Sequence, residues 1–224
     1  MASYNIRKAV GLDWRRDPAR TLRVAGGIGA DVIALQEADK RLGLRPAALP
    51  TDLIAGAGWR VAPVGGAGGL GWHGNALLLG PDVRHLWSEG IDLPGFEPRG
   101  ALLTGLEVRG RPLVVAAVHL GLLRRHRRAQ LVHLMDRLDG LALPVMIAGD
   151  FNEWHPAAGL EPLARDFDIH APGRSFHAAR PVASLDRIAV PKGIGLAGGG
   201  VLQSAEARRA SDHLPIWADV MLPG

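Results

Sequence analysis

The feature that most restricts the fold of this chain is the stretch 145–154, Val-Met-Ile-Ala-Gly-Asp-Phe-Asn-Glu-Trp. Its four leading apolar residues predict a fully buried strand, and Gly149 lets the backbone leave the sheet without a side chain in the way. Asp150 and Asn152 should then project together beyond the carboxyl end of the strand, where open α/β sheets bind ligands. There Asp150 could accept a proton from water, and Asn152 could donate a hydrogen bond to an oxygen that gains negative charge. Gly, Asp and Asn are also ordinary turn residues, so a plain strand-ending turn is the alternative.

Polar side chains adjoin several other apolar stretches that predict strands, at residues 2–8, 31–37, 75–79, 112–119 and 183–190 and after residue 213. We expect one edge of the sheet core to gather these side chains, which are Asn5, Glu37, Asn75, His119, Asp150, Asn152, Asp186, Asp212 and His213. A buried carboxylate is costly unless it is paired or bound to a cation. Glu37, Asn5 and Asp212 offer the oxygen ligands that Mg2+ prefers, and Mn2+ is the alternative ion.

Four stretches have the pattern of helices, among them a short one around residues 51–55 and one over residues 156–164. Asp17 followed by Pro18 predicts an N-cap and first helical position for a helix over residues 19–28. Leucines at helical spacing predict a second helix over residues 124–141. Its first turn is Arg-Arg-His-Arg-Arg, and positive charge there opposes the helix dipole unless an anionic group lies nearby. The favoured alternative is a plain solvated face, because long exposed side chains tolerate such a placement.

Size and composition narrow the class of protein. A chain of 224 residues is expected to form one α/β domain over 1–224. No apolar run approaches the roughly 20 residues of a membrane helix, and the N-terminus lacks a signal-peptide pattern, so a cytoplasmic location is expected. The absence of cysteine excludes disulfides and thiolate metal sites. The pI is about 10.3, but the formal charge is only +4, which is weak evidence for a polyanionic partner.

Taken together, these motifs resemble those of the endonuclease/exonuclease/phosphatase superfamily, which includes DNase I. The matching blocks lie in the family's order from residue 3 to residue 215. They are Ser3-Tyr4-Asn5-Ile6, Leu35-Gln36-Glu37, Gly74-Asn75-Ala76-Leu77-Leu78, Val118-His119-Leu120, Gly149-Asp150-Phe151-Asn152, Ser184-Leu185-Asp186-Arg187-Ile188 and Ser211-Asp212-His213-Leu214-Pro215. The resemblance implies a four-layer α-β-β-α sandwich: two mixed β-sheets packed face to face, helices outside, and the active site at one edge.

The resemblance also implies a metal site and a nucleophile. Glu37 would be the principal Mg2+ ligand with Asn5 beside it, and Asp212 would assist the metal or the water. Asp150 would orient and deprotonate the attacking water, and Asn152 would hold a phosphate oxygen.

The remaining roles concern charge and geometry around the phosphate. His213 would stabilise the transition state, kept cationic by Asp186, and His119 would contact the scissile phosphate or leaving group. Asn75 would support the geometry of the site. Arg99 resembles an arginine that some family members carry before this strand, and a structural role is equally compatible with it.

The resemblance leaves the substrate open. Arg7 stands where apurinic endonucleases carry an acidic residue, and the chain's one tyrosine, Tyr4, does not match the tyrosine those enzymes place near the phosphate. Abasic-site repair is therefore disfavoured. The leading prediction is a Mg2+-dependent, nuclease-like phosphodiesterase with nucleic acid as its partner, helped by arginines at 124, 125, 127, 128, 208 and 209. The alternatives are a phospholipid or sphingolipid head-group phosphodiesterase and a catalytically inactive binding scaffold.

Overall fold

A computed structural model of the chain describes residues 1–39, 45–65, 69–156 and 158–222. Two six-stranded sheets, with strands numbered in chain order, form the centre. The first sheet runs in spatial order through β11 (Leu196–Val201), β12 (Ile216–Val220), β1 (Ala2–Asn5), β2 (Val32–Gln36), β4 (Ala76–Leu79) and β3 (Arg60–Val61). The second runs through β5 (Val83–Leu93), β6 (Arg99–Val108), β7 (Arg111–His119), β8 (Val145–Asp150), β10 (Asp186–Pro191) and β9 (Phe167–His170). Both sheets mix parallel and antiparallel pairs.

The two sheets face each other across an apolar core, and helices cover their outer faces. Residues of β2 and β4 pack against residues of β6, β7 and β8 between the sheets, as Leu77 and Met146 illustrate. Outside the first sheet lie α1 (Pro18–Gly26), α2 (Thr51–Gly56) and α5 (Ala207–Ala210), and outside the second lie α3 (Arg124–Leu138) and α4 (Glu161–Ala164). The predicted four-layer α-β-β-α sandwich is confirmed.

The helices predicted at residues 19–28 and 124–141 form for the expected reasons. The side chain of Asp17 accepts a hydrogen bond from the backbone N–H of Arg20 and so caps α1, and Pro18 occupies the first helical position. In α3, Leu131, Leu134 and Leu138 are buried against the second sheet. None of the described helices has the length and apolar composition of a membrane span.

Some elements differ from the prediction. A helix was expected over residues 156–164, but only Glu161–Ala164 is helical within the described residues, because the chain first turns at Gly159 in the left-handed region. Strand β9 (Phe167–His170) was missed, since its short edge pairing depends on β10 rather than on a strong local pattern. The glycine-rich stretch at 65–74 lies partly outside the described residues.

Strand register places the polar ends of the strands at one edge. β7 and β8 run parallel with His119 opposite Asp150, and β10 runs antiparallel with Asp186 opposite Asp150. In the other sheet Asn5 lies opposite Gln36, so Glu37 follows at the same edge. Gly149 is needed because β7 passes very close: a Cβ there would lie 1.9 Å from the carbonyl oxygen of Val118.

Candidate active site

Asp150 lies at the centre of the site, fully buried at the carboxyl end of β8. Its Oδ2 accepts a hydrogen bond from Asn5 Nδ2 at 3.1 Å, which links the two sheets, and its Oδ1 accepts one from the backbone N–H of Asn152 at 2.9 Å. Burial raises the pKa of Asp150 to about 6, although the charge of His213 opposes the rise. A carboxylate with a raised pKa is well suited to take a proton from water.

His213 faces Asp150 and is held by Asp186. Its Nδ1 lies 2.8 Å from Asp186 Oδ2, and its Nε2 lies 3.7 Å from Asp150 Oδ2. Burial lowers the pKa of His213, but the charges of Asp186 and Asp150 and the hydrogen bond to Asp186 outweigh it and raise the pKa to about 10. The imidazole is therefore a cation at neutral pH, as the predicted role of this pair requires.

Asn152 leaves the strand in the left-handed region, with φ 50°. Asparagine tolerates this conformation better than most residues, which explains the carboxamide at this position. Its Nδ2 donates to the carbonyl oxygen of Leu120 at 2.9 Å, and that bond fixes the side chain beside the end of β7. A carboxamide nitrogen carries two hydrogens, so Asn152 can still donate to a substrate oxygen.

His119 completes the row on the second sheet. It is buried, and its Nε2 lies 3.5 Å from Asp150 Oδ2. Its ring also lines a cavity of about 250 Å³ together with Glu37, Lys8 and Arg99. His119 thus adjoins both the central carboxylate and the open space that a substrate could enter.

Glu37 and Asn5 lie across the edge from this row and form the predicted metal side of the site. Asn5 Oδ1 accepts a hydrogen bond from the backbone N–H of Arg7 at 3.1 Å. The Glu37 carboxylate forms an ion pair with the Lys8 ammonium, and the backbone N–H of Lys8 also donates to the Glu37 carbonyl oxygen. The Lys8 ammonium thus already places a positive charge at the carboxylate that is expected to bind a cation. The side-chain oxygens of Glu37 and Asn5 are donors of the kind that fit Mg2+.

The chain reaches this arrangement through an unusual turn. Arg7, Lys8 and Ala9 all have positive φ, at 45°, 59° and 60°. Such a conformation costs about 1–3 kcal/mol per residue for residues other than glycine, so the surrounding structure must hold it. The turn places Lys8 beside Glu37 and Arg7 beside Asp212. Glu37 and Asp212 are two of the three predicted metal ligands.

Asp212 lies at the border of the site rather than at its centre. Its Oδ2 is 3.5 Å from Arg7 Nε, and its Oδ1 accepts a hydrogen bond from Ser211 Oγ at 3.3 Å. Ser211 Oγ also lies 2.7 Å from the carbonyl oxygen of Asn5, which keeps Asp212 next to the predicted metal side.

A second group of side chains could also hold a cation. Ligand atoms of Asp150, Asp186 and His213 all lie within 4.8 Å of one another. A cation bound by His213 would have to displace the proton of the imidazole, however, and the raised pKa of His213 opposes that loss. The chemistry of the donors therefore fits a cation better at Glu37 and Asn5 than at this cluster.

The two predicted supporting residues lie beside the site. Asn75 is fully buried, and its Nδ2 donates to the carbonyl oxygen of Gly100 at 2.8 Å, which ties β4 in one sheet to β6 in the other. Arg99 is buried at the start of β6, lines the cavity, and its Nη2 lies 2.7 Å from Glu97 Oε2.

Sequence reasoning missed several residues that shape the site. Ser175 Oγ donates to Asp186 Oδ2 at 2.5 Å, and the Phe176 ring lies 5.0 Å from the His213 ring. Trp154 contacts Phe176 edge-on at 6.1 Å and is 63% exposed. Ser175 and Phe176 lie in an irregular segment without periodicity, so no sequence signal marks them. Lys8 could have been noticed as a cation three positions after Asn5.

The buried Glu153 explains the basic first turn of α3. Its carboxylate lies 2.7 Å from Arg127 Nη2 and 3.0 Å from Arg124 Nη2. Burial raises the pKa of Glu153, but hydrogen bonds from Arg124, the backbone of His155 and Arg127 outweigh it and lower the pKa to about 2. Glu153, the residue after Asn152, is therefore the anionic group that offsets the positive charge at the start of α3.

Two facing six-stranded sheets, with a carboxylate and histidine row at one edge, define a DNase I-like α/β sandwich. The chain belongs to the Endonuclease/Exonuclease/phosphatase family, whose model matches residues 2–213. Among curated relatives it is similar to the uncharacterised protein YbhP of Escherichia coli K12, with 35% identity over 165 residues. That match covers 68% of this chain and about 64% of the length of YbhP.

Solved structures share the fold at low identity. A Beutenbergia cavernae endonuclease/exonuclease/phosphatase is 22% identical with a TM-score of 0.77, and the match covers 100% of this chain and 71% of that one. Danio rerio TDP2 complexed with a single-strand DNA product is 18% identical with a TM-score of 0.71, and the match covers 99% and 98% of the two chains.

Proposed function

We propose that this protein is a Mg2+-dependent phosphodiester hydrolase and that residues 1–224 form one domain. The observation that carries the proposal is the pairing of two chemically different carboxylates at one sheet edge. Asp150 has a raised pKa and faces the cation of His213, while Glu37 lies on the opposite side with oxygen donors suited to a metal. Phosphoryl transfer needs charge neutralisation and in-line positioning, and these groups supply both.

Each side chain has a distinct task in this proposal. Glu37 and Asn5, with help from Asp212, hold Mg2+, which when bound supplies positive charge next to the phosphate. Asp150 orients the attacking water and takes its proton. Asn152 donates a hydrogen bond to a non-bridging phosphate oxygen.

The two histidines act on the phosphate from the second sheet. The His213 cation, held by Asp186, faces the negative charge that develops in the transition state. His119 lies between Asp150 and the cavity, where it can contact the scissile phosphate or the leaving group. Asn75 and Arg99 act as supporting residues through their contacts with β6 and Glu97.

A nucleic acid is the first candidate substrate. The fold shared with TDP2, whose structure holds a single-strand DNA product, supports this choice. The predicted arginine track is reduced, however, because Arg127 is buried against Glu153 and Arg208 Nη2 donates to Gln203 at 2.6 Å. Exposed arginines such as Arg125 and Arg128 are left to contact a phosphate backbone.

A phospholipid head group is the second candidate, and a specific observation favours it. Phe96 and Leu122, beside the cavity, are 85% and 64% exposed, and grouped exposed apolar side chains are typical of membrane or interaction surfaces. An inactive scaffold is less well supported, because every predicted site residue is present and most of these side chains are held by hydrogen bonds or ion pairs.

The proposal is tested by hydrolysis assays with purified protein in Mg2+, Mn2+ or EDTA. The panel holds single- and double-stranded DNA, RNA, a chromogenic phosphodiester, and vesicles of sphingomyelin or phosphatidylglycerol. We expect metal-dependent turnover of at least one diester, abolished by EDTA. Turnover unaffected by EDTA would contradict the metal role, and no turnover across the panel would favour the scaffold.

A further inference from the structure

Three large apolar side chains form an exposed surface at the mouth of the cavity. Phe96 lies at the tip of the hairpin that joins β5 to β6 and is 85% exposed, and Leu122 and Leu123, just before α3, are 64% and 49% exposed. We call these three residues the apolar ridge. Glu97 and Pro98, which line the cavity, follow Phe96 directly, so the ridge borders the entrance of the site.

The two segments that carry the ridge are fastened to each other. The buried side chain of Gln130 donates to the carbonyl oxygen of Pro94 at 3.0 Å and accepts a hydrogen bond from the backbone N–H of Gly121 at 2.8 Å. The backbone N–H of Leu122 donates to Glu97 Oε1 at 3.3 Å. The ridge is therefore one supported surface and not two independent loops.

Positive charge lies beside the ridge, on the first turn of α3. Arg125 and Arg128 are exposed on the first turn of α3, and in the described part of the chain neither forms an ion pair with an acidic side chain. The Phe96 ring contacts the ring of His126 on the same turn, with centroids 5.2 Å apart. Glu97, the acid that follows Phe96, already pairs with Arg99.

We infer that the apolar ridge and these arginines dock the protein on an anionic phospholipid surface. Aliphatic side chains such as Leu122 and Leu123 cannot stack on bases as aromatic rings do, but they gain free energy when they enter the acyl boundary of a bilayer. Exposed arginines beside them would contact anionic head groups. A nucleic acid would use the arginines and leave the leucines in water.

Docking in this orientation presents the cavity to the head-group region. The wall residues Glu97 and Pro98 adjoin Phe96, so a lipid phosphodiester would lie next to His119 and Arg99. The docking itself does not depend on the hydrolysis proposed above. The choice of a phospholipid as substrate, in contrast, rests on that proposed hydrolysis.

Vesicle sedimentation tests the docking. The Asp150→Asn chain, which should not degrade the vesicles, is mixed with phosphatidylcholine vesicles or with phosphatidylcholine and phosphatidylglycerol vesicles. We expect binding to the anionic vesicles, reduced about tenfold or more when Phe96→Ala and Leu122→Ala are added. Adding Arg125→Gln and Arg128→Gln instead should weaken binding to anionic vesicles only.

The matched control adds Leu53→Ala and Leu86→Ala, which shorten two exposed leucines, one on α2 and one near the other end of β5. This control should bind as the parent does, and circular dichroism verifies folding of every variant. Failure to bind anionic vesicles, or equal binding by ridge and control variants, would overturn the docking. Loss of single-stranded DNA binding instead of vesicle binding in the ridge variant would assign the surface to nucleic acid.

The chromogenic phosphodiester assay separates the two proposals. Vesicle binding without hydrolysis of any diester would leave the docking intact and contradict the proposed function. Hydrolysis of the soluble diester without vesicle binding would do the reverse.

Discussion

At the residue scale, the chemistry of the site depends on the proton that His213 holds. Burial alone would remove that proton, and the carboxylate of Asp186 at 2.8 Å retains it. Ser175 fixes that carboxylate by donating to the same oxygen. Asp186 therefore acts through His213. Its effect on the pKa of His213 can be measured in the absence of substrate.

The pKa of His213 can be measured directly by histidine-selective NMR. We expect the wild-type ring to stay protonated at pH 8 and to titrate toward pH 10, and the pKa to fall in Asp186→Asn because burial then opposes the charge with less compensation. The raised pKa also makes the stability of the fold depend on pH. A histidine with a raised folded-state pKa contributes stability that is fully present below pH 6.5 and is lost as pH rises toward about 10. A neutral His213 at pH 7 in the wild type would refute this account.

A second prediction at the residue scale concerns the ion pair between Lys8 and Glu37. A tethered ammonium competes with a metal ion for the same carboxylate, so Lys8→Gln should tighten Mn2+ binding. We expect a change of up to about fivefold, which corresponds to the roughly 1 kcal/mol of an ion pair near the surface.

Calorimetric titration of Mn2+ into the apo protein provides the measurement. Lys192→Gln is the matched control, because Lys192 is an exposed lysine that directly follows β10. Asp186 lies at the other end of that strand. Mn2+ affinity that is unchanged or weaker in Lys8→Gln would show that the ammonium does not compete at this site.

At the scale of elements, α3 is anchored to the loop that carries Asn152. Glu153 is buried, and its carboxylate joins Arg127 and Arg124 of the helix. Its carbonyl oxygen accepts a hydrogen bond from Arg187 Nη2 at 3.1 Å, so β10 is attached to the same point. The first turn of α3, the loop after β8 and β10 thus share one buried ionic cluster.

Glu153→Gln should destabilise the fold, because it leaves the buried guanidinium of Arg127 without its counter-charge. Loss of one partner of a buried ion pair costs about 3–5 kcal/mol. The control Asp82→Asn, on an exposed aspartate just before β5, should change the free energy of unfolding by about 0.5 kcal/mol or less. Urea unfolding compares the two variants, and similar midpoints would mean that the cluster does not anchor α3.

At the scale of the whole molecule, local patterns predict individual strands and helices of an α/β domain, whereas the four-layer sandwich was implied by the resemblance of the matching blocks to a known family. The apolar run before Asp150 and the Asp17-Pro18 helix start both form as expected. Side chains placed by irregular backbone could not be predicted in the same way. Lys8 reaches Glu37 only through a left-handed turn, and Phe176 reaches His213 only through long-range pairing.

The apolar ridge shows the same limit. A hairpin tip with Phe96 has no periodic pattern, and its closeness to Leu122 depends on Gln130, which binds both segments. Only the folded chain shows that this hairpin is exposed beside the cavity. Local pattern identified the chemistry of the site, and tertiary contacts determine which surface surrounds it.

The most direct test of the account is the value of kcat/KM for a soluble chromogenic phosphodiester, in Mg2+, for the wild type, Asp150→Asn and the control Asp168→Asn. Asp168 is an exposed aspartate on β9, so its change should leave turnover intact. We predict that Asp150→Asn lowers kcat/KM by about 10²–10⁴, the contribution of a general base, with its fold unchanged by circular dichroism. Equal values for the wild type and Asp150→Asn would contradict the central claim that Asp150 activates the water.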